Sequence, residues 1–266
     1  MSTKAILDYE SMIIDFIQKK PFYIFKIDNF FNDTFYHSLQ KDFPDINKFK
    51  LKNVKEYNNK FYFSSDDEIY KDIISSSSSL KILHENIFSK NFIYFFYKKL
   101  YYNFLVSRTA NINSFIHLLK IPKFVASKHD ILDIIIYFKI RPIIEYSYIK
   151  EEGEVVPHTD NRNKLLSLLT YFPKYNDENE FKEKEKELGT QFWFSKEKNY
   201  FNRHLKDKSI KKSFEKSSKK IYKTPFVKKT LFGFIKNQYS WHSVDQVKIQ
   251  KNYIRKSINI SLLVDK

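Results

Sequence analysis

The sequence places a histidine and an aspartate two residues apart, in His158-Thr159-Asp160, just before the apolar run KLLSLLTYF. In an extended segment, residues i and i+2 lie on the same side, so this imidazole and this carboxylate can reach one metal ion. The pair alone is a weak signal, because the seven histidines and 31 acidic residues of the chain would produce roughly 0.8 such pairs by chance. A solvent-facing turn is the competing interpretation.

A second histidine near the C-terminus strengthens the metal interpretation. His242 lies in SWHSVD, and Arg255-Lys256-Ser257 opens the last apolar run. Two histidines and one carboxylate form the facial triad that holds non-haem Fe(II) and leaves coordination positions open. The guanidinium and the hydroxyl, two residues apart on one strand face, can clamp a carboxylate. His204 is the rival second histidine, but it lies in the charged stretch NRHLKDK, with no strand or Arg-x-Ser after it.

In these motifs the chain resembles the Fe(II)/2-oxoglutarate-dependent dioxygenases, and most of all their prolyl-4-hydroxylase-like branch. The resemblance implies a set of metal ligands and a set of contacts to the 2-oxoglutarate co-substrate. The implied metal ligands and catalytic residues are His158, Asp160 and His242. The implied co-substrate contacts are Arg255, Ser257, Tyr148 and Tyr171.

The resemblance also implies a reaction. Fe(II), 2-oxoglutarate and O2, with ascorbate in a supporting role, would hydroxylate an unactivated C–H bond of a small molecule, a sugar-linked metabolite or a peptidyl residue, releasing succinate and CO2. Asp160 favours hydroxylation over halogenation, since related halogenases have a small residue in its place. Two alternatives stay open: a nucleic-acid demethylating oxygenase, and a catalytically silent β-helix module that binds a partner through lysine-rich surface.

The elements that must position these residues change character along the chain. Several β-rich runs without intervening helices predict an antiparallel sandwich or barrel, and the resemblance narrows this to a double-stranded β-helix of the jelly-roll or cupin-like kind. We expect an α+β fold with a mainly β core and N-terminal helices packed on one sheet. The predicted strands are ILDIIIYFKI, PIIEYSYI, EVVPHTD, KLLSLLTYF, TQFWF, TLFGFI and SINISLLV.

The domain organisation follows from the same change. We expect a single oxygenase domain over residues 1–266, with a largely helical support region at 1–125 and the β-helix core at 126–266. The lysine-rich segment 195–224 and the polar segment 174–187 are expected to be insertions or long loops. In the N-terminal region, PFYIFKIDNFF predicts a strand and turn, and DTFYHSLQKDF predicts a helix capped by Asn32 or Asp33.

Composition limits the partners. The chain has 42 Lys against 5 Arg and a net charge of +16, which suits an anionic partner or substrate. Nucleic acid is not expected as the main partner, because specific phosphate recognition favours the bidentate fork of Arg. The absence of cysteine excludes disulfides and thiolate ligands. No apolar run is long enough for a membrane span or a secretory signal, so we expect a cytoplasmic protein that does not bind membranes.

Overall fold

The structure, a computed structural model, describes residues 6–46, 52–54, 59–108, 140–161, 163–174, 182–196, 205 and 208–264. These residues form a mainly β architecture with two antiparallel sheets and six helices. The strands are β1 Asp15–Gln18, β2 Ile24–Ile27, β3 Lys52–Val54, β4 Lys60–Ser64, β5 Ile140–Lys150, β6 Val155–His158, β7 Lys164–Tyr171, β8 Thr190–Phe194, β9 Lys219–Lys223, β10 Leu231–Ile235, β11 Trp241–Val244 and β12 Ile254–Val264. The helices are α1 Asp33–Lys41, α2 Ile69–Ser75, α3 Ser78–Ile87, α4 Lys90–Arg108, α5 Lys182–Lys186 and α6 Lys208–Ser217.

The two sheets face each other. The eight-stranded sheet has the order β1-β2-β10-β7-β12-β5-β4-β3, and the four-stranded sheet has the order β6-β11-β8-β9. Side chains from both sheets share one buried cluster, in which Ile149 and Phe232 of the large sheet accompany Val155 and Val244 of the small one. The space between the sheets is therefore where side chains of distant segments can meet.

Strand alternation decides what each face of the large sheet contacts. On β12, Ile258, Ile260 and Leu262 belong to the cluster that packs against the helices. Their neighbours Ser257 and Ser261 point the other way, toward the small sheet, because successive side chains alternate across a strand. The polar face of β12 therefore lines an internal cavity, whereas in an ordinary antiparallel sheet the polar face meets solvent.

The helical layer covers the apolar face of the large sheet, as predicted. Helix α1 begins after Asn32, whose side chain accepts a hydrogen bond from the backbone N–H of Phe35. Leu39 of α1, Leu83 of α3 and Phe96 of α4 are buried in the same cluster as the apolar side chains of β12. The N-terminal region also supplies strands β1 to β4. β4 pairs with β3, its neighbour in the chain, and with the distant β5, which joins it to the rest of the large sheet.

The segment 195–224 was expected to be an insertion or a long loop, and the loop alternative is wrong for its described part. Residues 208–223 form α6 and β9, and β9 pairs with β8 at the edge of the small sheet. The lysines masked an amphipathic pattern in which Phe214 is buried beside Trp193 and Trp241. Within the segment 174–187, also expected to be a loop, Lys182–Lys186 is helical. The predicted strand residues 131–139 and the predicted boundary near residue 125 lie outside the described residues.

Tight packing explains the position of Gly189, at the start of β8. A Cβ atom at this position would lie 1.6 Å from the carbonyl oxygen of Thr224. Only glycine allows the two backbones to approach this closely. In the described part of the chain, no helix is both long enough and apolar enough to cross a membrane.

Candidate metal centre

Strand pairing brings the two predicted histidine ligands together. β6 and β11 are antiparallel neighbours, and their register places His242 directly opposite His158. The two imidazole rings are 4.1 Å apart between centroids. β6 tolerates Pro157 because it is the edge strand of the small sheet, where a missing N–H breaks no ladder. His158 and His242, which are far apart in the sequence, thus become neighbours across one pair of strands.

The backbone fixes which nitrogen of each ring faces the site. His158 Nδ1 lies 3.0 Å from the carbonyl oxygen of Val156, and His242 Nδ1 lies 3.0 Å from the carbonyl oxygen of Ser240. Because a carbonyl only accepts, each Nδ1 is the protonated nitrogen and each Nε2 carries a lone pair. This is the arrangement found for metal-bound histidine, in which the second nitrogen is held by a hydrogen bond.

Asp160 lies close to both histidines, with one carboxylate oxygen near each ring. Oδ1 is 4.0 Å from His158 Nε2, and Oδ2 is 3.8 Å from His242 Nε2. Lys164 donates to Oδ1 and Ser167 donates to Oδ2, each at 3.0 Å. Burial by itself would raise the pKa of Asp160, but the positive charges of Lys164, above all, and of Lys236 hold that pKa well below its usual value. The carboxylate is therefore ionised and held in place before any cation arrives.

The donor set fits a divalent transition metal. One atom from each of His158, Asp160 and His242 can be chosen so that all three lie within 4.8 Å of one another. Burial lowers the pKa of His242, with Asp160 opposing this effect, so the imidazole is neutral and able to ligate near neutral pH. Two imidazoles and a carboxylate on one side of a site suit Fe(II) and similar ions. The rival histidine, His204, lies outside the described residues.

A cavity of about 510 Å³ opens beside these three side chains, between the two sheets. This volume lies within the usual range for small-molecule sites. Its walls combine metal-ligand candidates, serines, and a few charged and apolar side chains. The residues that line the cavity include Lys60, Glu145, Ser147, His158, Asp160, Ser167, Thr190, His242, Arg255, Ser257, Asn259 and Ser261.

Arg255 brings a buried positive charge into the same cavity. Its side chain is 2% exposed. Nε donates to the carbonyl oxygen of Leu188 at 2.7 Å, and one terminal nitrogen donates to Ser257 Oγ at 3.3 Å. In the described residues, no carboxylate forms a salt bridge with this guanidinium. Since burying an unpaired charge is costly, such an arrangement is typical of a site whose ligand supplies the counter-ion.

The two predicted tyrosines lie in different places. The ring of Tyr171 is 5.1 Å from the Arg255 guanidinium carbon, and its hydroxyl is hydrogen-bonded to the side chains of Thr190 and Thr224. Tyr148 instead faces the helical layer, where its hydroxyl donates to the carbonyl oxygen of Pro44 at 2.7 Å. The expected co-substrate contact of Tyr148 is therefore wrong, because alternation along β5 directs residue 148 away from the cavity.

Sequence reasoning missed the polar residues around the ligands. Ser167, which holds Asp160, is the one polar residue between Lys164 and Thr170 in the run KLLSLLTY. Glu145 and Ser147 alternate with apolar residues on β5, and Asn259 and Ser261 do so on β12. The signal was visible as alternation, but the sequence does not distinguish a face toward a cavity from a face toward solvent.

No protein-family model and no curated protein sequence matches this chain. Among solved structures, a prolyl-4-hydroxylase from Pseudomonas putida is 8% identical, with a TM-score of 0.46 over 91% of this chain and 93% of that chain. A prolyl hydroxylase from Trichoplax adhaerens, in complex with a peptide of hypoxia inducible factor, is 11% identical, with a TM-score of 0.43 over 91% and 83%. HygX from Streptomyces hygroscopicus, with nickel and 2-oxoglutarate bound, is 7% identical, with a TM-score of 0.41 over 91% and 82%.

Proposed function

We propose that this protein is an Fe(II)- and 2-oxoglutarate-dependent dioxygenase that hydroxylates an unactivated C–H bond and releases succinate and CO2. We also propose that its two facing sheets form a double-stranded β-helix. The observation that carries the proposal is the convergence of His158, Asp160 and His242 beside a buried arginine in one cavity. A metal and a dicarboxylate are the two ligands that these groups fit together.

His158, Asp160 and His242 would hold the iron. The histidines offer Nε2 because their Nδ1 atoms are held by backbone carbonyls. Lys164 and Ser167 orient the carboxylate and keep it from rotating away. Once bound, Fe(II) would supply the activation of O2 that couples decarboxylation of 2-oxoglutarate to oxygen insertion into the substrate.

Arg255 would bind the distal carboxylate of 2-oxoglutarate, with Ser257 beside it. The guanidinium lies between two aromatic rings, 5.1 Å from the centroids of both Tyr171 and Phe226, which fixes its plane. We assign Tyr171 to positioning this guanidinium, because its hydroxyl is already engaged by two threonines. The carboxylate would neutralise a charge that the described residues leave unpaired.

The substrate is proposed to be a small molecule, a sugar-linked metabolite or a peptidyl residue that reaches the remaining part of the cavity. An anionic substrate, suggested by the excess of lysine, stays a prediction. Hydroxylation, as opposed to halogenation, is proposed because Asp160 fills the position that a halide would need.

Uncoupled turnover tests the proposal without knowledge of the substrate. The purified protein is incubated with Fe(II), ascorbate and 2-oxoglutarate, and succinate is measured. We expect succinate from the wild-type protein, none above background from His158→Ala, and wild-type levels from His37→Ala, which removes an exposed histidine of α1. Equal, background-level succinate from wild type and His158→Ala, with no Mn(II) or Co(II) bound by either, would favour a silent binding module.

A further inference from the structure

A network of three polar side chains occupies the wall of the cavity formed by β4, β5 and β12. Lys60 Nζ lies 3.3 Å from Glu145 Oε1, and Asn259 Nδ2 donates to the same oxygen at 2.9 Å. Glu145 and Asn259 are paired in the ladder between β5 and β12. All three side chains line the cavity that also contains the metal-ligand candidates. The proposed oxygenase chemistry gives none of the three a role.

The register places this network within reach of the metal centre. Ser261 is paired with Ser167, whose hydroxyl holds Asp160. Asn259 is two residues from Ser261 on the same face of β12, a separation of about 7 Å along the strand. A molecule held by the network can therefore extend to the metal ligands without leaving the cavity.

The charges of the network cancel. The ammonium group of Lys60 and the carboxylate of Glu145 form an ion pair, with side chains 12% and 27% exposed. An anionic ligand would meet the carboxylate of Glu145, and a cationic ligand would meet the ammonium group of Lys60. The pair therefore disfavours both kinds of charged ligand, since a like charge in a partly desolvated site is repelled strongly.

What remains are hydrogen-bonding groups suited to hydroxyls. Both bonds to Glu145 end on Oε1, and in the described residues no hydrogen bond reaches Oε2 or the side-chain oxygen of Asn259. These two acceptors lie beside Ser147 and Ser261, whose hydroxyls both donate and accept and also line the cavity. A ligand rich in hydroxyl groups can donate to the acceptors and exchange hydrogen bonds with the serines.

We propose that Lys60, Glu145 and Asn259 form a substrate subsite for an uncharged, polyhydroxylated unit such as a sugar or a cyclitol. The inference rests on the proposed function, since it takes the cavity as the substrate chamber of an oxygenase. It narrows the substrate class to neutral polyols and runs against the anionic substrate suggested by composition.

Ligand binding tests the subsite. Saturation-transfer NMR and calorimetry are carried out with the full chain and four probes. Glucose and myo-inositol are neutral, glucosamine carries one positive charge, and glucuronate carries one negative charge. We expect at least one neutral probe to bind about tenfold or more tightly than the charged ones. Glu145→Gln and Asn259→Leu should each weaken that binding about tenfold or more, the worth of one hydrogen bond to a charged or buried group. Glu68→Gln, which changes an exposed glutamate, serves as the matched control and should bind as wild type does.

Three results would overturn the subsite: no binding of either neutral probe, tighter binding of a charged probe, or unchanged binding by both cavity variants. These outcomes are independent of the oxygenase proposal, because binding is measured without turnover. Failure of the oxygenase proposal would show instead as absent succinate in the wild-type protein. Glu68→Gln, which lies outside the cavity, should bind the probes and form succinate as the wild-type protein does.

Discussion

Replacing Arg255 with methionine separates the effect of this buried charge on stability from its effect on 2-oxoglutarate binding. The methionine side chain keeps much of the apolar contact with Tyr171 and Phe226 but removes the guanidinium. In the protein without co-substrate, the loss of the hydrogen bonds to Leu188 and Ser257 destabilises the fold, while removal of an unpaired buried charge stabilises it. Because these effects oppose each other, we expect the free energy of unfolding to change by less than about 2 kcal/mol.

In Arg255→Met, the affinity for 2-oxoglutarate should fall far more than the free energy of unfolding changes. Removing one partner of a buried, hydrogen-bonded charge pair costs about 2–5 kcal/mol, which corresponds to an increase in Kd of about 30-fold to about 4,000-fold. Calorimetric titration of the Mn(II)-loaded protein with 2-oxoglutarate measures this directly. Arg141→Met is the matched control, since Arg141 is 42% exposed and paired with Asp66 at the surface. An Arg255→Met protein that is folded and binds 2-oxoglutarate as tightly as wild type would refute the assignment of this guanidinium.

Three other predictions concern the fold around the site. Tyr148→Phe should lower the free energy of unfolding by about 1–2 kcal/mol, because it leaves the Pro44 carbonyl unpaired. The Kd for 2-oxoglutarate should stay unchanged, and an increased Kd would support a contact between this tyrosine and the co-substrate. Phe214→Ala should cost about 3–5 kcal/mol in denaturant unfolding, and a cost below about 1 kcal/mol would contradict the packing of α6 on the small sheet. Burial lowers the pKa of His84, whose Nδ1 is 3.1 Å from the Tyr70 hydroxyl. As the pH falls, His84 is therefore protonated in the unfolded state at a higher pH than in the folded state. Stability should therefore fall as the pH drops below about 6.5, and His84→Gln should flatten that part of the pH profile; an unchanged slope would contradict it.

Much of the site could be predicted from residue types and spacing. His158, Asp160 and His242 are brought together as expected, since their residue types are visible in the sequence and the pairing of β6 with β11 makes them neighbours. Arg255, at the start of the last strand, lines the same cavity, and its contact with the co-substrate stays a prediction. The N-cap at Asn32 and the apolar helices of the N-terminal region were local signals, and the structure contains them.

The errors share a physical cause, since each concerns information that is not local. The orientation of Tyr148 depends on the register of β5, and Tyr146 two residues earlier has the same orientation, away from the cavity. The lysines of 208–223 obscured helix α6, whose Phe214 packs on two distant tryptophans, and the edge strand β9, which pairs with β8. The role proposed for Glu145 and Asn259 depends on the second sheet, which covers the polar face of the first one. None of these relations can be read from a single segment.

Metal stoichiometry tests the central claim most directly. Anaerobic titration with Co(II), followed by visible absorption and calorimetry, should show one ion bound per wild-type chain. Affinity should fall sharply in His158→Ala, Asp160→Ala and His242→Ala and should be unchanged in His37→Ala. Wild-type affinity in all three ligand variants, each shown to be folded by circular dichroism, would contradict a metal centre at these residues.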